Sequence, residues 1–204
     1  MALVLYTTTL APTVLAADAG EFQFVAWLPG IAHPTGYPFY VLLGYFWTHL
    51  LPIGEVAWRM NLLSAACAAL AVGVTYGVAR QMIDATWPHT PAAARMIAAA
   101  VSATTFAVTH TFWSQALVAE VYALQALLVA TIFWLALRFR DQAGPPSPAR
   151  WSGKLLAFTF GLGLAHHVTT ILLLPGLALY LWVSRPRQRR KAGSRRAIAK
   201  RLVS

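Results

Sequence analysis

The chain has 204 residues, 58% of them hydrophobic and only 11% charged, against about 25% charged in an ordinary soluble domain. Its 16 Lys and Arg outnumber its 6 Asp and Glu, leaving a formal net charge of +10. So few charges cannot cover a soluble domain, the single Cys67 can close no internal disulfide, and the apolar content excludes disorder; an integral membrane protein remains.

In chain order, residues 1–17 are uncharged and apolar, with no basic flank of the kind a signal peptide carries. They are expected to form the outer part of a first span whose inner end is missing. Residues 18–58 are expected to form one extracytoplasmic loop with two juxtamembrane helices. The first lies near Phe22 to Leu28, behind Asp18-Ala-Gly-Glu21. Pro29, Gly30, Pro34, Gly36 and Pro38 then supply turn chemistry around His33 and Tyr37. The second helix, residues 39–51, would be only about 20 Å long, too short to cross a bilayer about 30 Å thick. Its Phe39, Tyr40, Tyr45, Phe46 and Trp47 suit the membrane–water interface.

Beyond residue 58 the charges work as a ruler. Uncharged runs fill 60–79, 96–119, 121–137 and 155–184, bounded by Arg59, Arg80, Arg95, Arg138, Arg140, Arg150 and Lys154. The other nine basic residues lie in the tail, 185–204. With 80–95, 138–154 and the tail all cytoplasmic, as the positive-inside rule directs, 96–137 and 155–184 each go out and return. Spans are expected at 60–79, 96–113, 117–137, 155–165 and 168–184, about six with the first, in an all-α polytopic helix bundle at the inner (plasma) membrane. The second hairpin would turn near Gly161, Gly163 and His166-His167; the alternative is one long tilted helix over 155–184. The basic tail marks the cytoplasmic side and touches anionic headgroups rather than nucleic acid.

This topology leaves Asp18, Glu21, His33, Tyr37, Arg59, Glu120, Tyr122, His166 and His167 on the outer side. Ionisable groups at membrane depth are costly and usually functional. Asp18 reads either as a helix N-cap with Glu21 as its capping-box partner or as a general base. Glu21 supports rather than reacts. His33 is held by its prolines and Tyr37. Arg59 is either an interfacial snorkelling residue or a phosphate ligand. Glu120 is either a loop-tip carboxylate or a substrate partner or metal ligand. His166 and His167, mid-run, read as phosphate ligands or a metal contact. His110 is expected to pack within a span; His49 and His89 are interfacial and loop positions. No P-loop, dinucleotide fingerprint, zinc-protease motif or Gly-x-Ser-x-Gly elbow is present.

The strings Ala17-Asp18-Ala-Gly-Glu21-Phe22 and Gly30-Ile-Ala-His33-Pro-Thr-Gly-Tyr-Pro38 resemble a bacterial and animal family of multi-spanning proteins that includes an animal transmembrane protein O-mannosyltransferase. The resemblance continues through Arg59-Met-Asn61-Leu-Leu-Ser64, Trp113-Ser-Gln115, Glu120-Val-Tyr122 and Gly161-Leu-Gly-Leu-Ala-His166-His167, from residue 10 to about 184. Its wider relatives are the GT-C glycosyltransferases. The resemblance implies inverting sugar transfer from a polyprenyl-phosphate donor to a hydroxyl acceptor at the outer face. Asp18 matches the position of the general base, and Glu120 an outer-loop acid near the donor phosphate or a divalent metal. His33, His166 and His167 match positions facing the phosphate. Relatives continue through more spans, so the chain is expected to be a truncated form. The rival classes are a transporter or channel component and a catalytically inactive membrane scaffold.

Overall fold

The computed structural model describes residues 1–141 and 149–184. The basic tail and most of the 141–153 connector lie outside the described residues. Every regular element described is helical: α1 (Ala2–Thr8), α2 (Ala17–Trp27), α3 (Pro38–Leu50), α4 (Val56–Thr86), α5 (Ala92–Ala107), α6 (His110–Ala116), α7 (Val121–Asp141), α8 (Ala149–His166), a 3-10 turn (Val168–Leu172) and α9 (Leu173–Val183).

Local chemistry accounts for the breaks. Pro38 opens α3 at its first turn, where a missing N–H costs nothing. Pro91 precedes α5. Between α5 and α6 the axis bends by 68°. There Thr109 adopts an extended backbone, and its hydroxyl donates to the Phe106 carbonyl at 2.9 Å, interrupting the ladder. His167 is likewise extended, and its ring Nδ1 accepts from the Thr169 N–H at the head of the 3-10 turn. That break excludes one continuous helix over 155–184.

α4 and α7 make the most extensive helix pair. Ser64 on α4 meets the backbone of Glu120 just before α7, while Gly77 near the other end of α4 abuts Trp134. The two helices therefore run parallel. α8 is antiparallel to α7, since Gly153 abuts Phe139 and His166 reaches Val121. Beyond the 3-10 turn, Leu173, Leu177, Tyr180 and Leu181 form one apolar stripe that packs on Ile132, Leu135, Ala136 and Leu156. The inner face of α4 is built from small buried residues, among them Ser64, Ala65, Cys67, Ala68 and Ala71, which let helices approach closely in a membrane.

α4 and α7, the latter over Val121–Arg140, are each long and apolar enough to cross a membrane; the bent α5–α6 pair makes a third if it is one span. About six spans were expected. The difference lies in α8, whose first turns hold Arg150 and Lys154, and in α9, which has 11 residues. Residues 1–17 are not one helix either. α1 ends at Thr8, and residues 9–16 cross the bundle without helix. The Tyr6 hydroxyl donates to the Ala107 carbonyl, and the Ala11 N–H to that of Leu117.

Candidate functional site

One end of the bundle gathers polar groups from the α2 start, the 28–37 turn, the 117–120 turn and the 166–167 break. α2 begins from Ala16, whose side chain makes no cap; Ala17 has φ of 59° and Asp18 stands exposed in the first turn. The capping box open to Asp18 and Glu21 does not form. Gly20 of this motif has a steric cause: a Cβ there would lie 2.2 Å from the Leu15 carbonyl oxygen. Only glycine lets residues 9–16 cross this closely over α2.

Glu21 instead turns to the loop. One of its oxygens accepts the His33 backbone N–H and the other meets His33 Nδ1, both at 2.7 Å. With Nδ1–H donated to the carboxylate, His33 Nε2 is left for a ligand. Hydrogen bonding from His33 holds the Glu21 carboxyl below its ordinary value. The same bond raises the His33 imidazole, against a desolvation effect, and the negative charges of Asp18 and Glu120 add to the rise.

Two consecutive left-handed residues, Gly36 (φ 81°) and Tyr37 (φ 44°), close the turn. Glycine adopts that conformation freely. Tyr37, which precedes a proline, does so at a cost of about 1–3 kcal/mol. The strain places the buried Tyr37 ring 5.4 Å from both His33 and Phe22 and 5.7 Å from His167, centroid to centroid. Burial raises the Tyr37 hydroxyl above its usual range.

Glu120 sits in the short turn before α7, half-buried. Burial, then the charge of Asp18, raises its carboxyl; the Val121 N–H and the charge of His33 oppose this. Tyr122, exposed, borders a cavity of about 480 Å³ that Phe106, Phe112 and Gln115 also line.

The two adjacent histidines separate. His166 is 1% exposed, and its Nε2–H donates to the Val121 carbonyl at 2.9 Å. It clamps α8 to α7 and is not placed as a phosphate ligand. His167 is half-buried; its Nδ1 accepts from the Thr169 N–H and hydroxyl. That tautomer leaves Nε2–H as a donor beside Tyr37. Gly163 serves this break: its carbonyl accepts from the Thr170 hydroxyl, and a Cβ there would meet Thr170 at 2.8 Å.

Arg59 lies apart. Its guanidinium donates to the carbonyls of Thr48, Ile53 and Gly54 and closes the α3–α4 connection. The phosphate role open to it from sequence is not the one the structure gives it. His110 is exposed at the first turn of α6 rather than packed within a span. His49 stacks on Trp27 at 4.0 Å, and His89 is exposed in its loop.

Sequence reasoning missed the support beneath the site. Gln23, buried, accepts from the Leu15 N–H and donates to Asn61, which donates on to the Ala11 carbonyl. This chain ties residues 11–15, α2 and α4 together. Two amides at otherwise apolar positions were the available signal, because buried amides must find partners.

Asp18, Glu21 and His33 each offer a ligand atom within 4.8 Å of the others. Two carboxylates and an imidazole form a donor set that suits a divalent cation. Glu120, the metal candidate from sequence, is not in that group. Since Glu21 directs both oxygens to His33, a cation would compete with that pair.

The chain is 26% identical over 188 residues to "Protein O-mannosyl-transferase tmem260" of Dictyostelium discoideum, covering 87% of the chain and 22% of that protein. It is 29% identical over 178 residues to "Protein O-mannosyl-transferase TMEM260" of Mus musculus, covering 87% of the chain and 24% of that protein. The chain thus spans about a quarter of the length of these relatives. No solved structure matches it. Residues 18–190, which contain every site residue named above, match the model for the protein O-mannosyl-transferase TMEM260 N-terminal domain, and the chain belongs to that family.

Proposed function

We propose that the chain is the donor-side module of a GT-C-type membrane mannosyltransferase that moves a sugar from a polyprenyl-phosphate carrier to a protein hydroxyl at the extracytoplasmic face. One observation carries this reading: an exposed carboxylate, Asp18, stands within ligand distance of a carboxylate-held imidazole, Glu21–His33, at the end of the bundle opposite Arg80, Arg95 and Arg138. The names of the relatives support the sugar and the protein acceptor.

The parts divide the chemistry. Asp18, open to solvent, accepts the proton of the acceptor hydroxyl as its oxygen attacks the anomeric carbon. The bond from that carbon to the phosphate oxygen breaks, and the lipid phosphate leaves with the electron pair. His33, charged through Glu21, and the Nε2–H of His167 donate to the departing phosphate. Glu120, raised by burial, hydrogen-bonds a sugar hydroxyl. A divalent cation held by Asp18, Glu21 and His33 would displace the proton shared by Glu21 and His33 and supply the positive charge for the phosphate in place of the charged imidazole. The carrier's tail stays in lipid, so no nucleotide site is required.

The test is sugar transfer in membranes that contain the protein, with polyprenyl-phosphate mannose as donor. Asp18→Asn is expected to lower the rate about 100-fold or more, the usual scale of a lost general base, with unchanged unfolding midpoint. Transfer that survives Asp18→Asn rejects the base assignment. Solute flux without any transfer would favour a transporter.

A further inference from the structure

The opposite end of the bundle holds a separate site. There α4 and α7 part around a cleft of about 600 Å³ lined by Tyr76, Gly77, Arg80, Asp84, Trp134 and Arg138. A Cβ on Gly77 would lie 3.2 Å from Trp134 Nε1, so the missing side chain lets the indole rest against α4. Arg138 stacks on that indole, its Cζ 4.3 Å from the ring centroid. Stacking fixes the face of a guanidinium and leaves its N–H groups, which lie in the plane, able to donate. Across the cleft Arg80 is oriented by Asp84 at 3.0 Å, and the same carboxylate also takes Arg95 at 2.6 Å. The lining therefore holds two guanidiniums and one carboxylate that a third guanidinium shares, an excess of positive charge.

The cleft's depth points to its occupant. Among the described residues α4 and α7 are the two helices that can cross a membrane singly, and the cleft lies between their C-terminal ends. Trp and Arg at such ends sit at headgroup level. We propose that this cleft binds the phosphate of an anionic phospholipid headgroup, with Arg138 and Arg80 as its ligands and Trp134 as the platform. A lipid is favoured over free phosphate because the walls of the cleft are membrane helices, along which acyl chains can lie while the headgroup stays in reach.

Native mass spectrometry of the full chain in detergent, with phosphatidylglycerol or phosphatidylcholine added, tests this. Phosphatidylglycerol adducts should be retained in preference to phosphatidylcholine. Arg138→Gln should reduce them roughly tenfold, the loss of a charge-assisted hydrogen bond to the phosphate, and Lys154→Gln, at the same end but outside the cleft, by less than about twofold. Arg138→Lys, which keeps the charge without the planar fork, should also weaken retention. Excess inorganic phosphate should leave the adducts in place. Equal retention of the two lipids, full retention in both Arg138 variants, or an equal loss in Lys154→Gln would overturn the proposal. Displacement by inorganic phosphate would overturn the lipid assignment.

Discussion

At the scale of single residues, the motif around Asp18 is a set of steric and hydrogen-bonding solutions. Gly20 is present because the Leu15 carbonyl occupies the place of its Cβ. Glu21 is present because the His33 N–H and ring need one acceptor group. The pair has a pH signature. The contribution of His33, whose folded value is raised, is complete below about 6.5 and is lost as pH rises through the raised value. The contribution of Glu21, whose folded value is lowered, is complete above about 4.5 and is lost as pH falls through the lowered value. The pair therefore stabilises most between those two limits. In a metal-free sample, NMR titration of ring-labelled histidine should place His33 above its ordinary value. Glu21→Gln should return it toward about 6.5, the value of an unperturbed imidazole. A His33 titration that does not move would show that Glu21 is not what holds the charge.

At the scale of elements, what matters is how short helices are held against long ones. The eleven-residue α2 lacks a capping side chain and is too short to be stable alone. The Gln23–Asn61 amide pair fastens it to α4. Asn61→Ala would leave the Gln23 amide and the Ala11 carbonyl buried without their partner, so stability should fall by about 1–3 kcal/mol, measured by denaturant unfolding in micelles. Gln23→Ala together with Asn61→Ala should cost less than the sum of the singles, because they act in one network. Additive losses would show that the two amides act independently. The 166–167 break shows the same economy. His166 ends one helix and points inward; His167 starts the next turn and points to Tyr37.

At the scale of the whole molecule, acids outnumber bases at one end and bases outnumber acids at the other, with Arg59 at the acidic end and Asp84 at the basic one. Asp18, Glu21 and Glu120 lie at one, Arg80, Arg95 and Arg138 at the other. By the positive-inside rule the Asp18 end is expected to be extracytoplasmic. Cys67 is buried, so introduced cysteines report cleanly. Thr35→Cys, exposed in the 28–37 turn, should be labelled in intact cells by an impermeant maleimide. His89→Cys, exposed in the α4–α5 loop, should react only after permeabilisation. The reverse pattern would invert the molecule and place the proposed transfer on the wrong side of the membrane.

Much of this was open to reading from residue order, and the rest was not, for definite reasons. An apolar all-α bundle, the separation of acidic from basic positions and the turn at 29–38 follow from composition, charge spacing and Pro–Gly chemistry, which are properties of neighbouring residues. Which polar groups meet is a property of distant ones. Arg59 and His166 looked like phosphate ligands because a guanidinium or an imidazole can serve phosphate and backbone carbonyl alike. The fold brings the carbonyls of Thr48, Ile53 and Gly54 to Arg59, and that of Val121 to His166. It also brings Glu120 near Asp18 and His33 across about a hundred residues of chain, and splits two adjacent histidines between a clamp and a donor. Local chemistry determined the helical, apolar character of the chain and its Pro–Gly turn; only the packing of α4, α7 and α8 decided which side chains face the site, because hydrogen-bond partners are assigned by proximity in space.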